Sequence, residues 1–318
     1  QPLKVFGVQQ SFLFPTVYGV QRKVNQAAYE QEQARFELQK NKLSLEISKT
    51  YHHIVYLQQQ EATYKYLDSL YQNFSKASDR RFELGETNYL EKITAQAKYR
   101  QIQTKLNQLD KEKKGQYELL QALVQSEDKV RVKSVIMEPI NNLTITTNKE
   151  LYLTYFESVT KSYENNIKLQ NQNWLPNLNL EYFQGKNNGI SESLYGFQVG
   201  VAVPLFFSGN VAKSKVAKLA LQSWEQEKQN EEQRIEAYIL QSKNTLDQHQ
   251  QAITYYTEHG KKLAAEIIKV ADMSYKHGEI DFFQYIQSLE NATTIQMEYL
   301  DALLQYNKTQ LDLQYLNY

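Results

Sequence analysis

Apolar side chains recur at steps of three, four and seven along a proline-free stretch from about Tyr18 to Ser78: Leu43, Ile47, Tyr51, Ile54, Leu57, Tyr64, Leu67, Tyr71 and Phe74. That spacing predicts a coiled-coil seam on a long helix. Beyond Gly85 the pattern resumes through Leu90, Ile93, Ala97, Leu106, Leu109, Leu120 and Leu123. It returns from about Ala212 to Met273, and after Gly278 through Phe283, Ile286, Leu289, Met297, Leu300, Leu304 and Leu311. A helix of about 60 residues is on the order of 90 Å long, so these are rods. Their other faces are crowded with Gln, Asn, Lys and Glu, as in Gln58-Gln59-Gln60-Glu61. Such a face is solvated, and the pattern does not separate water outside a bundle from water inside a tube.

Two regions change period. Leu178 to Phe183 alternates, Gly185-Lys186-Asn187-Asn188-Gly189 has hairpin-loop composition, and Tyr195 to Phe207 returns as a strand. On that return strand Tyr195, Phe197, Val199, Val201 and Val203 share one face, while Gly196, Gln198, Gly200 and Ala202 share the other. An apolar face backed by a small or polar one over about ten residues suits a membrane-barrel strand, and equally a strand of a soluble sandwich. Three strands cannot close a barrel, so a membrane reading requires several chains to contribute.

The pieces occur twice. Phe12-Leu13-Phe14-Pro15 is echoed by Val201-Ala202-Val203-Pro204, and Arg81-Phe82-Glu83-Leu84-Gly85-Glu86 by Ser274-Tyr275-Lys276-His277-Gly278-Glu279. The prolines lie 204 − 15 = 189 apart and the glycines 278 − 85 = 193, which places four extra residues of the second copy near Ser208 to Val211. The chain therefore divides into residues 1–125, a first strand and helical hairpin; 126–147, a polar linker holding Pro139; and 148–318, a second copy. In the second copy Asn148 caps a shorter helix with apolar face Tyr152, Phe156, Val159, Tyr163 and Ile167, which Pro176 ends.

Composition narrows the function. Lys plus Arg equals Asp plus Glu at 36 each, so no net field favours nucleic acid. The absence of cysteine removes disulfides, thiolate metal sites and a lipidated cysteine. Mean hydropathy is −0.64 and tyrosine reaches 24 residues, which fits elongated, wetted elements. No run of about 18 apolar residues exists, so no transmembrane helix is expected, whereas barrel strands escape that criterion. Gln1 reads as a processed or truncated start.

A strand hairpin feeding two rods, in tandem, resembles the TolC-like outer membrane factors of Gram-negative efflux systems, nearest the CusC- and CzcC-type heavy-metal members. Phe14-Pro15, Val203-Pro204, Trp174-Leu175-Pro176-Asn177-Leu178 and the two glycine tips carry the likeness. The resemblance implies a fold that is mainly α with a small β part: a homotrimer whose helices form a periplasmic α-barrel tunnel, continued by one shared β-barrel in outer membrane lipid. It implies an exit duct for an inner-membrane RND transporter, joined to it by a periplasmic adaptor protein. Arg81, Gly85, Glu86, Gly278 and Glu279 would form the adaptor-docking tips, and Asp281, Gln284, Gln287 and Ser288 would line the entrance. Pro15 and Pro204 would mark strand-to-helix junctions. Relatives bring two strands per copy, so a segment before the first strand is expected. Some also ring the entrance with carboxylates, where this chain offers only Asp281.

No nucleophile elbow, phosphate loop or zinc-protease motif is present, and the five histidines read as helix-surface residues. Adjacent His52 and His53 point about 100° apart on a helix and do not form a chelating pair. The expectation is a non-enzymatic, cofactor-free duct. Its rivals are a soluble coiled-coil scaffold or adaptor and, among channels, a type I secretion duct.

Overall fold

The computed structural model describes residues 4–133, 135–140, 147–186, 193–204 and 208–316. In chain order these form β1 (Lys4–Phe12), α1 (Pro15–Glu83), α2 (Tyr89–Val124), α3 (Lys149–Gln170) with a closing 3₁₀ turn (Asn171–Trp174), β2 (Asn177–Lys186), β3 (Ser193–Ala202), α4 (Ser208–Tyr255), a π turn (Tyr256–Gly260), α5 (Lys261–Lys276) and α6 (Phe282–Tyr315). Two compact units result: residues 1–39 with 149–234, and residues 40–148 with 235–318. Each unit takes material from both copies of the repeat, because α1 and α4 each begin in the first and continue into the second.

In the first unit, β1, β2 and β3 form an antiparallel sheet in that order. The register pairs Val8 with Tyr182 and Tyr182 with Phe197. One face therefore carries Phe6, Val8, Gln10 and Phe12; Leu178, Leu180, Tyr182 and Gln184; and Tyr195, Phe197, Val199 and Val201. All but the two glutamines are apolar, and apart from half-buried Leu178 and Tyr182 these are exposed, from 39% at Phe12 to 78% at Phe197. The expected alternation of β3 is present, although β3 ends at Ala202 and residues 205–207 and the hairpin tip 187–192 lie outside the described set.

Pro15 is the first residue of α1, where its missing N–H costs no helical bond. The 3₁₀ turn secures both strand-to-helix corners: Gln172 accepts from Thr16 Oγ1 at 2.8 Å, Asn171 from Ser214 Oγ at 2.8 Å, and the Asn173 carbonyl from Asn210 Nδ2 at 2.8 Å. α3 buries Tyr152, Phe156 and Val159, and Trp224 of α4 packs edge-on against Phe156 while donating to Thr160 Oγ1 at 2.9 Å. The expected extra residues shift position. α4 starts at Ser208, 208 − 15 = 193 after α1, so Ser208 to Val211 are helical and the added residues precede them.

In the second unit, Ile54, Leu57, Leu67 and Tyr71 are buried as the heptads predict. Leu43, Tyr51, Leu90, Ile93 and Phe283 are instead exposed, with Leu45, Val55, Phe282 and Tyr285 taking core positions beside them. These helices carry more apolar residues than one face accommodates. Residues 137–140 of the polar linker are held more closely than its composition suggests. Met137 is buried among Val55, Ile253, Leu303 and Leu304. Fully buried Asn307 accepts from Ile140 N at 2.8 Å and donates to the Glu138 carbonyl at 2.9 Å, gripping the backbone as a strand would. Asn148 donates its N–H to the Gln314 carbonyl and its side-chain amide to Asn41 Oδ1. No helix among the described residues is long and apolar enough to cross a membrane.

His52, His53 and His249 are half-buried, and burial lowers all three pKa values, aided at His53 by Lys308 and opposed by Glu112 at 3.3 Å. The folded state then binds fewer protons than the unfolded one below the ordinary value of 6.5. Their stabilising contribution is complete above that pH and fades as pH falls toward the depressed folded values. The melting temperature is expected to drop between about pH 7.5 and 5.5, the histidine range, and a His52→Gln/His53→Gln variant should flatten that drop. Asn307→Ala should cost about 2–4 kcal/mol by leaving a buried donor and acceptor unpaired, and protease should then cut within residues 126–140. Denaturation in detergent and limited proteolysis check both effects.

Candidate functional site: the paired helical tips

Each long helical hairpin turns at a glycine in the left-handed region, Gly85 at φ 73° and Gly278 at φ 72°. A side chain there would meet nothing within 4 Å, so backbone conformation rather than space demands glycine. The closing bonds are duplicated. Gly85 N donates to the Phe82 carbonyl at 3.0 Å and Glu86 N to the Arg81 carbonyl at 2.8 Å; Gly278 N donates to the Tyr275 carbonyl at 3.1 Å and Glu279 N to the Ser274 carbonyl at 2.8 Å. This is a Schellman closure in both copies, 193 residues apart.

Three residues later each ascending helix is capped. Asn88 accepts from Glu91 N at 2.9 Å, and Asp281 accepts from Gln284 N at 2.8 Å while Gln284 Oε1 accepts from Asp281 N at 3.1 Å, a full capping box. In the first copy the residue equivalent to Gln284 is Glu91. Its buried carboxylate accepts from Arg81 Nη1 at 2.9 Å and Thr87 Oγ1 at 2.5 Å. Arg81 also hydrogen-bonds Tyr275, so one guanidinium ties the first tip to the second.

Behind the glycines, aromatic rings lock the two hairpins together. Phe74 of α1 lies 5.1 Å from Tyr285, 5.8 Å from Tyr275 and 5.9 Å from Phe282, and Tyr275 stacks on Tyr285 at 4.8 Å. Leu67, Tyr71, Ala95, Ala271, Ile286 and Leu289 complete this core, which draws on α1, α2, α5 and α6. Burial, reinforced by Asp272, pushes the Tyr285 phenol up to about 12, and burial likewise raises Tyr71 and Tyr275. These hydroxyls stay neutral at any physiological pH.

The predicted residues divide into two groups. Gly85, Glu86, Gly278 and Glu279 lie exposed at the turn, as a docking surface requires, but Arg81 is engaged within the fold. Glu279 accepts from Ser274 Oγ at 2.8 Å. Asp281, Gln284, Gln287 and Ser288 lie on the side of α6 opposite buried Tyr285, Ile286 and Leu289. The caps occupy Asp281 and Gln284, and Ser288 Oγ bonds the Gln284 carbonyl at 2.8 Å. Sequence reasoning placed Phe74 on the seam and Tyr275 in the second tip without assigning either to the lock between the hairpins, and it missed Thr87 and Glu91. Exposed Phe82, Leu84, Tyr89 and Leu90 add an apolar surface to the first tip, with Lys92 over the Phe82 ring at 5.0 Å. Among the described residues no group of three or more His, Asp and Glu side chains is arranged to hold a metal ion.

Residues 159–316 match the family model described as outer membrane efflux protein, 158 of the 318 positions. No curated protein matches the sequence. Solved structures match throughout. A membrane protein from Pseudomonas aeruginosa superposes with TM-score 0.81 at 14% identity, covering 99% of this chain and 82% of that one. The CmeC outer membrane channel of Campylobacter jejuni gives 0.76 at 12% identity, with 99% and 77% covered. CusC gives 0.75 at 13% identity, with 98% and 82% covered. The fold is thus that of outer membrane channels, and CusC stands among the others without distinction.

Gly278→Ala is expected to lower stability by about 1–2 kcal/mol, the cost of a Cβ in the left-handed region. Glu91→Gln should loosen the first tip alone, increasing amide exchange around residues 81–90 while residues 274–283 keep their protection.

Proposed function

We propose that the chain is an outer membrane efflux protein: a passive, non-enzymatic exit duct that receives substrate from an inner-membrane RND pump through a periplasmic adaptor. The observation that carries this reading is the exposed apolar sheet face. Its strands are 9 and 10 residues long, about the length that spans a bilayer at a tilt. β1 and β3 each pair only with β2 among the described strands, leaving an outer edge open on both sides of the sheet. An open edge beside a lipid-compatible face calls for pairing with strands of neighbouring copies until the barrel closes. A trimer does this, placing the sheet in the outer membrane of a Gram-negative cell and the helical rods in the periplasm. A soluble scaffold has no use for such a face.

In this reading the tips at Gly85 and Gly278 form the periplasmic entrance. Their glycines, with Glu86 and Glu279, meet the adaptor, while Asp281, Gln284, Gln287 and Ser288 line the opening. The duct selects little; the pump chooses the cargo, metal ions if it is of the heavy-metal type. Opening requires the adaptor to bind the open tips better than the closed ones, since equal affinity shifts nothing.

Gly85→Leu or Gly278→Leu should abolish export in a strain that depends on this duct, while the assembled oligomer persists on a native gel. Full export by both variants would remove the docking role of the tips.

A further inference from the structure

The face of the sheet opposite the apolar one has rows of unequal height. Direct partners across an antiparallel sheet share a face, so Gln9, Glu181 and Gln198 form one row on it. The next row toward the hairpin loop is Gly7, Phe183 and Gly196, and the next toward the helices is Ser11, Asn179 and Gly200. Three long polar side chains thus stand between rows in which β1 and β3 contribute only glycine or serine. Phe183 does not fill the gap beside them. A Cβ on Gly196 would lie 2.5 Å from Phe183 Cζ, so the ring lies down across β3, as an aromatic side chain covers a strand glycine. A Cβ on Gly7 would lie 3.8 Å from Glu181 Oε1, so the carboxylate leans over the bare backbone of β1.

Glu181 is also the one charged residue on this face among the described strand residues. The other charged positions of the sheet, Lys4 and Lys186, pair with each other on the apolar face, in the row nearest the hairpin loop. The row partners of Glu181 are neutral glutamines, so no cation on the same face balances it. The residues expected at the entrance differ in this respect. Asp281 holds the start of α6, accepting from Gln284 N at 2.8 Å, and Gln284, Gln287 and Ser288 are uncharged. A surface of one sign backed by a low-dielectric wall focuses its field into the space it faces.

We propose that Glu181 sets the charge preference of the duct. The row Gln9–Glu181–Gln198 is a raised polar collar on the inner wall of the shared barrel, and rotational symmetry brings one carboxylate per copy to the same height. The collar favours cationic cargo and retards anions. This inference rests on the duct reading, which puts the opposite face in lipid and this face in water. Three carboxylates acting from about 10 Å in water at low salt favour a monovalent cation about fivefold. In 1 M salt, where screening acts within about 3 Å, the preference disappears.

The test is the reversal potential of the intact assembled chain in planar bilayers under a tenfold KCl gradient at low ionic strength. The unaltered chain is expected to prefer potassium over chloride by at least about fivefold. Glu181→Gln, which keeps a long polar side chain in the row, should bring the ratio close to one, and Glu181→Lys should turn it toward chloride. Lys186→Gln, on the other face, should leave it unchanged. A second readout needs no open entrance. The chain has no cysteine, so Gln198→Cys offers a single thiol in the collar and Val199→Cys a single thiol on the apolar face. In assembled chain in membranes, the ratio of modification rates by cationic and anionic methanethiosulfonates at Gln198→Cys should fall about fivefold when Glu181→Gln is added. Val199→Cys should react with neither. Selectivity and rate ratio both indifferent to Glu181→Gln overturn the collar and leave the duct reading standing. Modification of Val199→Cys as fast as that of Gln198→Cys would instead remove the duct reading, and the collar with it.

Discussion

The aromatic contact of Phe74 with Tyr275, Phe282 and Tyr285 is the interaction on which the paired tips depend. It joins helices from the two copies at the level of their turns, and it is what makes two separate hairpins a single end. Ring pairs of this kind contribute about 0.5–1.5 kcal/mol each beyond the area they bury. Around them the polar ties are few and specific. Arg81 bridges Glu91 and Tyr275, and each ascending helix starts from a side-chain cap. The tips are therefore fixed from behind and left open in front, which suits a surface that is to receive a partner.

The same excess recurs elsewhere: the chain has more apolar surface than it buries alone. Leu43, Tyr51 and Leu90 on the rods, and the whole outer face of β3, are exposed. On the sheet register gathers most of the excess into one continuous face, while Val5, Phe183 and Leu194 stand exposed among the polar and small residues of the other. In the proposed duct, copies of the chain and lipid around the sheet would cover both sets of exposed residues in one arrangement.

Much of this was legible in the residues. The heptad spacing announced the rods, Gly85 and Gly278 announced the turns, and the alternation from Tyr195 to Val201 announced the apolar face. The 193-residue offset holds to the level of individual hydrogen bonds. What the residues did not disclose was which of two apolar faces a helix buries: Phe283 and Tyr285 look alike in a heptad, and only the crossing of four helices chooses Tyr285. Nor did the sequence reveal how Glu138 and Ile140 are held, since the grip on them comes from Asn307, far away in sequence. The π turn at Tyr256–Gly260 was invisible because a lone glycine in a helix has no single meaning.

The central claim is that the apolar sheet face lies in lipid within a barrel shared by several copies. The most direct test is the mass of the particle by light scattering, after extraction from membranes and again in detergent-free buffer. The account predicts a trimer that is released only by detergent and precipitates or aggregates without it. A monodisperse monomer or dimer in plain buffer would contradict it.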